Sequence, residues 1–414
     1  MLALLIMKHL ILISFMWFSL VDLAIPARAQ NSEADSLKNI LAGQDEDTSR
    51  VNTLLQLAWN LRAENPPESM KYSEEAKTLS EKLGFDKGKA MALSTIGVLQ
   101  YRRGELADAT SSHMQALQIR EKIGDENGIA RSNINLGNIY SDQGSNDLAL
   151  KCYFVALEIL ERGDDQERLA IVSLNIGGIY LAMENTEKAH LFCQRTVEIA
   201  KQIGDPLLEA QALNNIGVCF EQQNNNDSAL WAFNESYRIA EEQSEKNMMV
   251  DAGINVGNVY RYKGQYDNAI AWHKKSVEIA EEMEYLEGLR GLYEQLAADY
   301  QLKGDYKSAY ENHVLFKQFS DRIYNEENSM RLTEFTMRYE VEKKEMRQAE
   351  LEMELKTQES SLRKKGMIIV SGVVGFFVLA GIIVLIVVGF SGKKRDRMII
   401  QAQQEELNRL RWKK

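Results

Sequence analysis

Cysteine is scarce in this 414-residue chain: there are three, Cys152, Cys193 and Cys219, and no CxxC. Three thiols cannot all pair within one chain, and neither a disulfide framework nor a zinc ribbon is indicated. Proline numbers only four, so little interrupts helix. Basic charge is in deficit too. Lys and Arg number 49 against 60 Asp and Glu, a net charge of −11. That argues against nucleic acid, because phosphate binding needs a basic face. No GxxxxGK[ST], HExxH, GxSxG or kinase signature occurs, so no catalytic residue, no metal site and no cofactor is expected.

Long apolar runs are confined to two places. Residues 7–30 have a basic start at Lys8, an apolar stretch from Leu10 to Leu20, and Ala27-Arg28-Ala29 before Gln30. This is the layout of a secretory signal peptide with an A-x-A cleavage site; an uncleaved anchor helix is the alternative. The preceding MLALLI is apolar where a basic region belongs, so translation is expected to begin at Met7. Residues 367–390 form the second run, 24 positions without a charge. A helix of that length exceeds the roughly 30 Å hydrocarbon thickness and is read as a membrane span. Export places the part before it outside and the tail inside. The basic flanks, Lys393, Lys394, Arg395 and Arg397 against Arg363, Lys364 and Lys365, support this only weakly.

Most of the remaining chain is one phrase that returns every 40 residues: NLGNIY, NIGGIY, NIGVCF, NVGNVY. Its glycines are Gly97, Gly137, Gly177, Gly217 and Gly257, with Ala297 in the sixth place. Counting from that glycine, position +12 is always alanine: Ala109, Ala149, Ala189, Ala229, Ala269, Ala309. Position +22 is Ile119, Ile159, Ile199, Ile239 and Ile279. Spacings of three, four and seven put these residues on one helix face. The small residues mark where two helices approach closely. Turns fall at +7 (Gly104, Gly144, Gly264, Gly304) and at Gly124-Asp125, Gly163-Asp164 and Gly204-Asp205. Each unit is a helix–turn–helix that buries its apolar face only against its neighbours. His113, His273 and His313 share position +16 with Tyr153, Cys193 and Phe233. That column is read as filling the seam between helices, not as holding a metal. Cys193 and Cys219 fall in adjacent repeats, where buried free thiols are expected rather than a disulfide.

The spacing of Leu136-Gly137, Tyr140, Ala149 and Tyr153 resembles the tetratricopeptide repeat pattern L-G-x-x-Y…A-x-x-x-F. The usual period is 34, and the usual proline at +24 is replaced by Glu121, Glu161, Lys201, Glu241 and Glu281. A longer second helix accounts for both departures and resembles the Leu-Gly-Asn subtype. The resemblance implies an all-α fold. A right-handed α-solenoid of about seven repeats covers 51–325, after a signal peptide (1–29) and an N-terminal capping segment (30–50). A 3–4 spacing through Met330, Met337, Val341, Leu351, Leu355 and Leu362 predicts a coiled-coil linker helix over 326–366. The transmembrane helix (367–390) and a short cytoplasmic tail (391–414) follow. Ser371 and Gly375 form a small-x-x-x-small pair that permits close helix dimerisation, so a homodimer through linker and span is an expectation.

Positions −6, −2, +1 and +5 cluster on the face of the first helix opposite the seam. In tetratricopeptide proteins the first helices line a concave groove. The candidate ligand-binding residues are therefore Arg131, Asn135, Asn138 and Asp142, then Asn175 and Asn215, then Asp251, Asn255, Asn258 and Tyr262. Each asparagine offers two donors and an acceptor to a peptide backbone; it serves equally well to tie adjacent helices, and both roles stay open. The order of segments resembles bacterial membrane sensors with tetratricopeptide ectodomains, such as those of histidine-kinase type. The resemblance implies a peptide or protein ligand and a single-pass protein of the inner (cytoplasmic) membrane with a periplasmic solenoid. It also implies a receptor-like role in signal transduction. No output domain follows the span, so a separate cytoplasmic partner is expected. The alternative is a non-signalling, membrane-tethered scaffold for an envelope complex.

Overall fold

Antiparallel helix pairs account for nearly everything in the computed structural model, which describes residues 27–411. The signal-peptide run and the start at Met7 lie essentially outside the described residues. Among the described residues there are fifteen helices and no strand. The chain divides into two units between Ile323 and Tyr324.

In the first unit α1 (Ala27–Ala42) precedes six helix pairs. The first helices are α2 (Thr48–Leu61), α4 (Asp86–Arg102), α6 (Glu126–Asp142), α8 (Gln166–Ala182), α10 (Pro206–Gln222) and α12 (Lys246–Tyr262). Their partners are α3 (Pro66–Leu83), α5 (Leu106–Ile123), α7 (Asn146–Glu161), α9 (Thr186–Ile203), α11 (Asn226–Glu242) and α13 (Tyr266–Glu282). A seventh pair is α14 (Leu286–Lys303) with the opening of α15 (Tyr306–Arg411), where Tyr293 stacks on Phe319 at 5.4 Å. The second helices reach +24 or run past it, as the missing proline allows. Helix starts are fixed locally: the carboxylates of Asp125, Asp165 and Asp205 accept the backbone N–H of Gly128, Arg168 and Leu208 at 3.0, 3.1 and 3.0 Å.

The turns keep their left-handed geometry even where glycine is absent. At +7, Gly144 has φ 69° and Glu184 and Asn224 have φ 57° and 59°. At +27, Gly204 has φ 73°, while Ser244 and Glu284 adopt 59° and 54°. Helix pairing therefore imposes this conformation on side chains that disfavour it. One link departs: α7 stops at Glu161, Gly163 has ordinary backbone, and Asp165 rather than Asp164 caps the next helix.

The repeating glycine is a steric requirement. A Cβ on Gly137 would come within 2.5 Å of the Tyr153 ring, on Gly177 within 2.5 Å of Cys193 Sγ, and on Gly217 within 2.5 Å of the Phe233 ring. His113 covers Gly97 and His273 covers Gly257 in the same way. The +16 column thus fills the seam for five repeats. His313 is the exception and corrects the sequence expectation, because it is exposed. Ala297 already carries a Cβ where the other repeats leave room for a ring. Ala109, Ala149, Ala189, Ala229 and Ala269 are fully buried, and all three cysteines are free thiols.

The second unit is the remainder of α15. It contains residues 367–390, long and apolar enough as a helix to cross a membrane, with none of that stretch buried inside the chain. Leu351, Leu355 and Leu362 are exposed.

Candidate functional site

First helices touch from repeat to repeat: α2 with α4, α4 with α6, α8 with α10, α10 with α12, and α12 with α14. No two second helices among the described residues approach to the same extent. The side on which successive units converge is the inside of the bend, so the first helices line the concave face. All ten candidate residues lie on them, on α6, α8, α10 and α12.

Several of the ten tie neighbouring helices. Asn138 Oδ1 accepts the Tyr153 hydroxyl at 2.7 Å and Asn175 Nδ2 at 3.3 Å. Asn255 Nδ2 donates to Asn214 Oδ1 at 2.9 Å, whereas Asn258 Oδ1 accepts Arg261 Nη2 at 2.9 Å within α12 itself. Asn215 is buried against the Cys193 thiol. Asp142 accepts the Tyr101 hydroxyl from the preceding repeat. Each tie uses part of an amide's capacity, leaving further N–H donors on Asn138, Asn175 and Asn255. Tyr262 is exposed. Arg131, Asn135 and Asp251 are half-buried, with no hydrogen bond or ion pair to another described residue.

Electrostatics divide the groove. In its first part Arg131 is held below the usual arginine range by burial and by Arg168, with Asp125 and Asp165 opposing. In its later part the groove holds acids. Burial alone pushes the Asp251 carboxyl up to about 7. Burial also pushes Glu221 up to about 7 against the opposing charge of Arg261. It raises Glu294 against Arg290, His313 and Arg261. In the first part, on the same helix as Arg131, Asp142 is also raised by burial, with the Tyr101 hydrogen bond opposing.

Beside these acids lies a closed polar cluster. Arg261, 8% exposed, reaches Asp299 Oδ1 with Nε at 2.5 Å and Gln295 Oε1 with Nη2 at 2.6 Å. The other oxygen of Asp299 accepts His273 Nδ1–H at 2.6 Å, both side chains being 0% exposed, and His273 Nε2 lies 3.2 Å from the Ile254 carbonyl. Arg261 is thereby committed to its own cluster.

Two further columns border the stripe on one side. Tyr101, Glu221 and Arg261 occupy +4; Asn214 and Glu294 occupy −3. At 100° per residue these columns lie between the seam and the stripe. Their signal was available: −3 is Ile134, Leu174 and Ile254 in other repeats, so a polar residue there marks a local change of use.

Family models described as tetratricopeptide repeat match residues 128–202 and 168–242, and a second such model matches 251–283. Over these residues the solenoid is built of tetratricopeptide repeats. No curated protein matches the sequence. Among solved structures, the apo form of RapI is similar with TM-score 0.56 and 15% identity, over 66% of this chain and 99% of that one. The apo form of the quorum sensor NprR from B. thuringiensis is similar with TM-score 0.58 and 15% identity, over 71% and 82%. The STAND (signal transduction ATPase with numerous domains) protein with a tetratricopeptide repeat sensor, PH0952 from Pyrococcus horikoshii, gives 0.60 and 20%, over 76% of this chain and 49% of that one. At such identities the likeness shows a common tetratricopeptide fold.

Proposed function

We propose that the tetratricopeptide groove binds an extended peptide or protein segment. In this reading the chain is a membrane-anchored, receptor-like component of signal transduction, with its solenoid outside the cytoplasmic membrane and its tail inside. One observation carries the binding reading: side chains on the concave face, Arg131, Asn135 and Asp251, make no hydrogen bond or ion pair with another described residue. A polar group so placed lowers stability unless something else satisfies it. The spare amide N–H groups of Asn138, Asn175 and Asn255 supply donors along the same face. NprR is described as a quorum sensor and PH0952 as carrying a tetratricopeptide repeat sensor, which supports a receptor over a passive tether. Residues 367–390 supply the anchor.

Selection of random decapeptides on the full chain in neutral detergent tests this. Selected peptides are expected to lose binding to an Asn135→Ala, Asn258→Ala double variant and to keep it when only second-helix surface positions change. Peptides indifferent to groove substitutions overturn the groove. Asn175→Ala with Asn215→Ala separates contact from tie: weaker binding at unchanged Tm indicates contact, and parallel loss of both indicates tie. In cells, a phenotype unaltered by removing 393–414 overturns the signalling role.

A further inference from the structure

We infer that the later part of the groove takes a basic segment of a partner protein, whose lysine or arginine side chains seat against Asp251, Glu221 and Glu294. The inference rests on the groove reading and adds the chemistry of the occupant.

The three carboxylates stand on three consecutive first helices, α10, α12 and α14. None makes a hydrogen bond or an ion pair with another described residue. Asp251 is half-buried on α12. The cation that could neutralise two of them, Arg261, is held by Asp299, Gln295 and Asn258. Arg290 and His313 face Glu294. Around Asp251 stand the Tyr285 hydroxyl and, beyond it, Glu287 and Arg290; the Tyr262 hydroxyl lies by Glu221. Burial raises Asp251 with no opposing charge, and raises Glu221 despite the charge of Arg261. Such a carboxylate is an unfavourable feature that an incoming cation relieves.

Geometry sets the spacing. Asp251 and Arg261 are ten positions apart on α12, about 15 Å along the helix, and Glu221 sits near the Arg261 end, one helix over. In an extended segment, two basic side chains roughly five residues apart reach both acids. Column −6 also fixes a sign along the groove, with Arg131 and Asp251 as the unpaired charges three repeats apart. Because an incoming cation requires ionised acids, affinity rises as pH passes upward through about 7.

The test is fluorescence anisotropy of labelled octalysine, octaglutamate and a glycine-serine octamer with the full chain in neutral detergent, at pH 8 and pH 5.5. Octalysine is expected to bind at pH 8 and to weaken at least tenfold at pH 5.5. Asp251→Asn with Glu221→Gln, which keeps side-chain shape, is expected to weaken it at least tenfold at pH 8. Glu158→Gln with Glu278→Gln, the same charge change on exposed second-helix positions, should leave it within twofold. Equal weakening by both double variants reduces the effect to net charge and overturns the inference. So does comparable binding of the glycine-serine or glutamate peptide. Decapeptides that depend on the groove yet lack basic residues sink this inference and leave the groove standing. Absence of any groove-dependent decapeptide sinks the groove reading itself.

Discussion

Asp251→Asn should make the protein more stable and a poorer binder at once, a combination that an ordinary packing residue does not give. Burial moves this carboxyl from 3.8 to about 7. The folded chain therefore holds the proton more tightly than the unfolded chain does, and raising the pH from about 4 to about 7 withdraws stability. Three pKa units set a ceiling of about 4 kcal/mol at pH 8, absent below pH 4. The side chain keeps some contact with water, so a gain of about 1–2 kcal/mol is the working expectation for the neutral amide. That corresponds to a Tm rise of about 2–8 °C. Thermal unfolding of the full chain followed by circular dichroism at pH 8 and pH 4.5 measures it, with the gain shrinking several-fold at the lower pH. A variant no more stable than the parent at pH 8, or a gain that ignores pH, would refute the claim that an uncompensated charge sits at this place.

Three further outcomes follow from the packing. Gly217→Ala drives a Cβ to 2.5 Å from the Phe233 ring and should lower stability by about 1–3 kcal/mol in urea titrations; Gly291→Ala meets nothing within 4 Å and should be neutral or gain up to about 1 kcal/mol. Ser244→Gly and Glu284→Gly relieve left-handed backbone at φ 59° and 54° and should each raise stability by about 1 kcal/mol, read as a higher urea midpoint. His113 is buried, its Nδ1 has no partner, and burial lowers its pKa to about 4. The unfolded chain then takes up the proton first, and stability falls as pH drops from 6.5 towards 4, by about 3 kcal/mol at most. His113→Phe, which copies Phe233 in the same column, should abolish that acid-side slope.

The helix pairs were legible because their cause is steric and repeats at a fixed interval. A ring, thiol or imidazole at +16 needs a missing Cβ at position zero, and both columns stand in the sequence. Turns without glycine were harder, since Glu184, Asn224, Ser244 and Glu284 give no local sign of a left-handed residue; only the 40-residue register places them. His113 and His273 were read alike and differ completely. The residue 26 positions on decides: Ile139 follows the first, Asp299 the second. One ring nitrogen is left without a partner, and the other histidine joins a network of buried charge. Position +2 is Leu99, Ile139, Ile179, Cys219, Val259 and Asp299, so a carboxylate in an otherwise apolar column was a visible signal of that network.

The copies within this chain therefore act as controls for one another. Where repeats must keep the same neighbour, as at the +12 alanine, the column is uniform in all six and fully buried in the first five. Column −6 faces the groove and reads Met91, Arg131, Ile171, Gln211, Asp251 and Gly291, six residues of differing size, polarity and charge. Packing alone does not demand that variety, because one residue type there would serve every copy equally well. A ligand that meets each repeat at a different point along its length does demand it. The two charged members of the column also make no hydrogen bond or ion pair with another described residue, so the departures from repetition and the unsatisfied groups coincide on one surface. On the proposed reading, fold and recognition are thus written in separate columns: the uniform ones keep the helix seams closed, and the variable ones present differing chemistry to an occupant of the concave face.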